Sequence, residues 1–155
     1  MKGNEKIIAA LNNLLADELT AINQYMVHSE MCDNWQFKEL HKAIEERAIA
    51  EMKHAEKLIA RILFLEGSPT VSNLKKINIG ADIPAQFNSD QDAELTAIKG
   101  YNEGIRLASD LGDNGTRDLF DSILTDEEEH VDWLEAQLDQ IKMMGLQSYL
   151  VERVD

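Results

Sequence analysis

Apolar residues recur at steps of three and four along four separate stretches of the chain, with polar residues between them. From about residue 4 to 33 the repeat runs through Ile7, Leu11, Leu14, Ile22 and Tyr25 without an internal Pro or Gly. A 3.6-residue period kept up for that long predicts one amphipathic helix. Cys32, Asp33 and Asn34 interrupt it, and a second stripe over about 36–66 passes through Phe37, Leu40, Ile44, Leu58, Ile62 and Leu65 to Gly67-Ser68-Pro69. So short a join predicts an antiparallel hairpin. Residues 67–83 contain Gly67, Pro69, Asn73, Asn78 and Gly80 without a sustained period. A connection of that length between helices predicts a crossover running along a bundle. Pro84 suits the first turn of a third helix, about 84–111, with Phe87, Ile98, Tyr101, Ile105 and Ala108 on its stripe. A fourth, about 115–144, carries Phe120, Ile123, Leu134, Leu138 and Ile141 and stops at Gly145. The tail, with a short helix over about 146–153, has an apolar side formed by Leu146, Tyr149, Leu150 and Val154. It is too short to stand as a free helix and is expected to dock, another subunit being one candidate surface. The expectation is an all-α four-helix bundle in a single domain, 1–155, with a long crossover between the second and third helices and a short C-terminal fifth helix.

Each stripe has a carboxylate at its middle: Glu18, Glu51, Glu94 and Glu127. Glu51-Met52-Lys53-His54 and Glu127-Glu128-Glu129-His130 share a Glu-x-x-His spacing, which aims a carboxylate and an imidazole from one helix face at one point. With 16 Glu in 155 residues, a single such pair is a weak signal. The stronger signal is the recurrence of the whole set. Glu18 precedes Glu51 by 33 residues, Glu94 precedes Glu127 by 33, and the Glu, Glu and His of the first set reappear 76 residues on. Glu18-Leu-Thr-Ala-Ile-Asn-Gln-Tyr25 is answered by Glu94-Leu-Thr-Ala-Ile-Lys-Gly-Tyr101. Solvated helix faces have no reason to keep that spacing.

Composition narrows the chemistry. A formal charge of −14 repels nucleic acid and anionic membranes and concentrates cations, so a metal partner fits better than a polyanion. The single cysteine, Cys32, rules out an internal disulfide and any four-cysteine metal knot, and the cytosol is the expected compartment. The first residues lack the long apolar centre of a secretory signal, and no run reaches membrane-spanning length. Four carboxylates facing one another inside a bundle would repel and would each cost several kcal/mol to bury uncompensated. No Lys or Arg recurs with a matching pair on all four stripes, whereas two divalent cations would balance four carboxylates. His54 and His130 then supply one nitrogen ligand to each metal. Such a donor set suits iron or manganese, allows zinc, and lacks the thiolates that copper(I) prefers. His28 and His41 have no Glu three places before them and are expected at the surface, as is most of Asp126-Glu127-Glu128-Glu129 apart from Glu127.

A Glu from each of two helices and a Glu-x-x-His from each of the other two is the arrangement of ferritin-like dinuclear carboxylate proteins. Nearly the whole chain resembles a bacterioferritin. The likeness is carried by Glu18, Tyr25, Glu51-Met52-x-His54, Glu94, Glu127-x-x-His130, the Met-Lys-Gly start, Arg61-Ile-Leu-Phe-Leu-Glu-Gly67 and Gly145-Leu-Gln-Ser-Tyr-Leu150. The resemblance implies iron storage and detoxification by a homo-oligomeric shell of 24 copies. In that reading the chain is a ferroxidase that oxidises Fe(II) with dioxygen or hydrogen peroxide at two irons per subunit, stores a ferric mineral, and takes electrons from a small ferredoxin-type reductant for iron release. It also implies a haem b shared between two subunits, with Met52 from each as axial ligand. By its helical position Met52 lies about 100° from Glu51 and points away from the core, in line with Ile49 and Ile59. Tyr25, Trp35 and Trp133 stand where the family's redox-active aromatics are expected. A cavity-wall iron site is not expected, because of the positions compared, Glu46 and Ala50, Ala50 has no donor.

On this resemblance, Glu51 and Glu127 are expected to bridge the two irons, with Glu18 and His54 at one end and Glu94 and His130 at the other. Two alternatives remain at this level. One is a ferritin-like oxidase or peroxidase that stores no iron, although the rubrerythrin version needs a four-cysteine module that one cysteine cannot make. The other is a non-catalytic haem-binding or structural bundle.

Overall fold

Three of the four long helices start where a short polar side chain takes up a free backbone amide. Asn4 accepts from Lys6 N at 2.8 Å, Asp82 from Ala85 N at 2.9 Å and Asp113 from Thr116 N at 3.0 Å. The computed structural model describes residues 1–155 and contains α1 (Glu5–Asn34), α2 (Lys38–Phe64), α3 (Ile83–Asp110), α4 (Asn114–Met144) and a short α5 (Leu146–Val151). Gly145, at a positive φ of 82°, ends α4, as its sequence position predicts. No helix is long and apolar enough to cross a membrane.

The hairpins α1–α2 and α3–α4 pack with α1 against α3 and α2 against α4. Cross-helix bonds fix the directions: Tyr25 reaches Glu94 while Tyr101 reaches Glu18, so α1 and α3 are antiparallel. Arg47 meets Glu127 while Arg61 meets Asp113, so α2 and α4 are antiparallel as well. The crossover must therefore run the length of the bundle, and it does so along α1. Asn12 takes Thr70 N, Thr20 takes Lys75 N, Gln24 takes Asn78 N and His28 Nε2 takes Gly80 N, at 2.8 to 3.0 Å. These α1 residues satisfy the amides of a segment that has no ladder of its own. Gly80 is required by crowding, since a Cβ there would fall 2.2 Å from Gln86 N.

His28 corrects the sequence expectation. It is 0 % exposed, with Nδ1 2.9 Å from Asp90 Oδ1, and Gln24 Nε2 donates to the same oxygen at 2.8 Å. A donor in the crossover and an acceptor on α3 make burial of this imidazole favourable, and neither is visible in helical periodicity. His41 is half-buried, its Nδ1 2.9 Å from Ser29 Oγ.

The apolar core is two clusters, one on each side of the carboxylate layer. Leu11, Leu15, Leu58, Ile62, Tyr101 and Phe120 belong to one, and Tyr25, Ile44, Phe87, Leu134 and Tyr149 to the other. Along every long helix the carboxylate separates the two, as Glu18 separates Leu15 from Ala21 and Glu127 separates Leu124 from Leu134. α5 docks on its own bundle. Tyr149 is fully buried, packs edge-on to Phe87 and donates from its hydroxyl to Gln137 Oε1 at 2.6 Å. Cys32 is buried beside Gln86, and burial pushes its thiol up to about 12.

Asp113 ties the start of α4 to α2 through Arg61 Nη2 at 2.9 Å and holds the Thr116 hydroxyl at 2.6 Å. Burial alone would raise its pKa, but the Thr116 bonds and Arg61 outweigh it and hold the carboxyl below its ordinary value. The unfolded chain therefore takes up this proton first. The group's stabilisation is complete above the ordinary carboxylate pKa of about 3.9 and is lost as pH falls through the lowered folded value. Asp113→Ala should cost roughly 1–2 kcal/mol at neutral pH. In thermal melts the gap from the parent should close on acidification; a gap that persists unchanged at pH 2 would contradict this account.

Candidate metal centre

Periodicity places the four carboxylates on inward faces, and the structure buries them nearly completely: Glu18, Glu51 and Glu94 are 1 % exposed and Glu127 0 %. His54 and His130 are 3 % and 9 % exposed. Ligand atoms of Glu18, Glu51, His54 and Glu127 lie within 4.8 Å of one another. His54 Nδ1 is 3.6 Å from Glu18 Oε2, 3.8 Å from Glu51 Oε2 and 3.2 Å from Glu127 Oε1. In the other half, His130 Nδ1 is 3.1 Å from Glu94 Oε1. Glu18 Oε2, His54 Nδ1, Glu94 Oε2, Glu127 Oε1 and His130 Nδ1 are all buried without a hydrogen-bond partner. Five orphaned donor atoms converging in one layer fit metal ions, because such groups left unsatisfied cost free energy.

The 76-residue offset extends to the tyrosines. The Tyr101 hydroxyl donates to Glu18 Oε1 at 2.6 Å, and the Tyr25 hydroxyl donates to Glu94 Oε1, so each terminal carboxylate is held by the tyrosine of the other repeat. Tyr101 belonged to the repeat text but drew no role from the sequence. Tyr25 also lies edge-on to His130, whose ring stacks on Trp133 at 6.0 Å between centroids. Trp35 is remote from this layer, at the C-terminal end of α1 beside Phe37.

The halves are unequal, and here the sequence reading needs correction. A chain cation does enter the centre. Arg47 Nη2 contacts Glu51 Oε1 and lies 3.1 Å from Glu127 Oε2 and 3.8 Å from Glu94 Oε2. Its repeat counterpart is Ile123, so a search for symmetric cations misses it; its position four residues before Glu51 is the signal that could have found it. Asp126, counterpart of Ala50, was expected to be solvated, and its side chain is half-exposed. It nonetheless meets His54 Nε2 at 2.9 Å, turning Nδ1 towards the carboxylates.

Electrostatics follow this asymmetry. Burial raises the Glu18 pKa well above the usual carboxylate range, and the charges of Glu51 and Glu127 add to the effect. Burial also works against ionised Glu127, but His54 and Arg47 outweigh it and lower its pKa. His54 is pulled up to about 12 against its own burial by Glu127, Glu18 and Glu51. His130 is pushed down to about 4 by burial and by Arg47. The Arg47 guanidinium itself is opposed by burial but held charged by Glu51 and Glu127. Without metal, then, His54 holds a proton and His130 is neutral, so a metal ion arriving at His54 must displace that proton.

Met52 points outward as its helical position predicts, at 45 % exposure, next to Ile49 at 44 %. It lines a surface groove of about 390 Å³ with Ile22, Met26, Ala48 and Ile49, rimmed by Ser29, Glu30 and Glu45.

A bundle with an acidic, histidine-flanked middle layer defines a ferritin-like protein, and residues 8–144 match the family described as Ferritin-like domain. The chain is 40 % identical over 149 residues to the bacterioferritin of Brucella melitensis, covering 96 % of this chain and 92 % of that one. It is 41 % identical over 149 residues to the bacterioferritin of Rhodobacter capsulatus, with the same coverage, and 38 % identical over 154 residues to that of Mycobacterium avium, covering 99 % and 97 %. The chain belongs to the bacterioferritin family.

Proposed function

We propose that the chain stores iron, oxidising Fe(II) at the paired carboxylate centre and holding the ferric product inside a shell of 24 subunits. The observation that carries this reading is the set of five unpartnered buried donors in one layer, supplied in register by all four helices. Fe(II) is the substrate. Glu51 and Glu127 would bridge two ions, Glu18 and His54 would close one end, and Glu94 and His130 the other. Each ion loses one electron, and dioxygen takes both electrons and two protons to give hydrogen peroxide; with peroxide as oxidant the same two electrons and two protons give two waters. Pairing the metals makes a two-electron step available and avoids releasing a radical. Tyr101 and Tyr25 orient the terminal carboxylates, and Asp126 orients His54. The aromatic set of Tyr25, His130 and Trp133 lies beside this layer, and an electron-transfer role for it belongs to the same proposal.

The Met52 groove would suit the apolar face of a haem b, with the half-exposed Met52 thioether available to hold its iron and a second ligand left to another copy. The haem would supply one-electron chemistry at that surface, and a small reductant of the ferredoxin type is the proposed electron source for iron release. Met52→Leu should abolish the absorbance of a bis-methionine haem and leave initial Fe(II) oxidation unchanged. A full haem band in that variant would remove Met52 from this role.

Light scattering and aerobic iron loading test the whole. Twenty-four chains of 17.5 kDa give a particle of about 420 kDa. A particle of that size that retains ferric iron through gel filtration is expected. A dimer that oxidises Fe(II) without retaining it would favour the non-storing oxidase, and absence of oxidation would favour a haem-binding or structural bundle.

A further inference from the structure

The bridging carboxylates divide their oxygens between the two halves. Glu51 Oε2 and Glu127 Oε1 face His54, while Glu51 Oε1 and Glu127 Oε2 are held by Arg47, which also approaches Glu94 Oε2. The guanidinium thus covers the carboxylate oxygens that a metal ion on the Glu94–His130 side would need. No Lys or Arg covers the Glu18–His54 side; there Asp126 orients His54, whose Nδ1 faces Glu18, Glu51 and Glu127 as a ligand atom, and an arriving metal displaces only a proton and not a side chain.

The Arg47 pose is also incompletely satisfied, because its Nε is buried without a partner. An alternative seat adjoins it. Ala43 and Ala50, one turn to either side on α2, leave a cleft of about 280 Å³ that is also lined by Glu46, Trp133 and His130. A guanidinium turned into that cleft could meet the Glu46 carboxylate and the face of Trp133, both favourable partners for a planar cation.

We propose that Arg47 is a displaceable cation that closes the Glu94–His130 half of the centre, so that divalent metal loads the Glu18–His54 half first and the second half only after the guanidinium turns into the cleft beside Trp133. This rests on the reading of the six Glu and His residues as metal ligands. If the guanidinium covers the carboxylates for about 90–99 % of the time, the apparent affinity of the second metal falls roughly 10- to 100-fold below its intrinsic value. Ordered loading would keep a lone Fe(II) ion in the half whose carboxylate oxygens no guanidinium covers.

The test is an anaerobic titration of the full-length, assembled, metal-free protein with Co(II), followed by its d–d absorbance and by calorimetry. Two events per subunit are expected, the second weaker by about tenfold or more. Arg47→Leu should strengthen the second event by at least about tenfold and move the first by less than about threefold. Both affinities within threefold of the parent's would overturn the proposal. Because the variant leaves four carboxylates without a cation, a crystal structure of the unaltered protein with both Co(II) ions bound is the second measurement. Arg47 in the cleft supports the proposal, and Arg47 still between Glu51 and Glu127 with both ions in place defeats it. Failure of Co(II) to bind either half, in parent and variant alike, would instead remove the metal-centre reading on which the proposal stands.

Discussion

Replacing Glu94 with alanine should slow the initial oxidation of Fe(II) by at least about 100-fold, since outer partners of metal ligands already cost roughly 10–100-fold and Glu94 is proposed as a ligand itself. Glu94 is 1 % exposed, accepts the Tyr25 hydroxyl and faces His130 Nδ1 at 3.1 Å. Its loss removes the terminal carboxylate of one half and leaves a buried tyrosine hydroxyl without its acceptor. Glu18→Ala does the same to the other half, where Tyr101 loses its partner. Neither change should unfold the bundle, because each relieves repulsion within a crowded carboxylate layer. Stopped-flow absorbance at two Fe(II) per subunit is the measurement. A near-normal initial rate in either variant would overturn the ligand assignment.

Phe120→Ala should destabilise the protein by about 3–5 kcal/mol, the cost of emptying a large aromatic site in a packed core. Phe120 is fully buried, packs edge-on to Tyr101 at 5.9 Å and fills the space beside Gly104, where a Cβ would come within 2.9 Å of its ring. For a chain of this size the change corresponds to a fall of roughly 6–20 °C in Tm, compared at equal protein concentration because assembly also shifts Tm. Tyr101 holds Glu18, so the cavity should also loosen one end of the carboxylate layer and, on the proposed function, slow Fe(II) oxidation, though less than Glu18→Ala. Phe120→Leu should recover most of the stability. A loss below 1 kcal/mol in Phe120→Ala would show that this end of the core collapses freely around the gap.

Much of the bundle and of the candidate centre is legible in the sequence, and the reason is geometric. The helical period is fixed, so residues three and four apart must share a face, and a carboxylate in the middle of an apolar stripe must enter the core. The 76-residue repeat then indicates which four carboxylates and two histidines face one another. Arg47, Asp126 and His28 escape that logic for separate reasons. Arg47 lies on the stripe, four residues before Glu51, but a long side chain can turn to solvent or to the core, and the repeat has no matching cation to single it out. Asp126 is half-exposed and reaches His54 only because α4 packs antiparallel to α2 at that register. His28 is buried by partners from the crossover and from α3, and an irregular segment carries no period from which its contacts can be read. The same holds for α5, whose apolar side is evident while the surface it covers is not.

The sequence by itself determined the helices, their inward faces and the layer of carboxylates and histidines, because these follow from spacing along one chain and from the cost of burying charge. The tertiary structure alone decided that the two halves of that layer differ. It set Arg47 across the oxygens of one half and Asp126 behind the histidine of the other, because which side chain fills a gap between helices depends on the crossing and register of its neighbours.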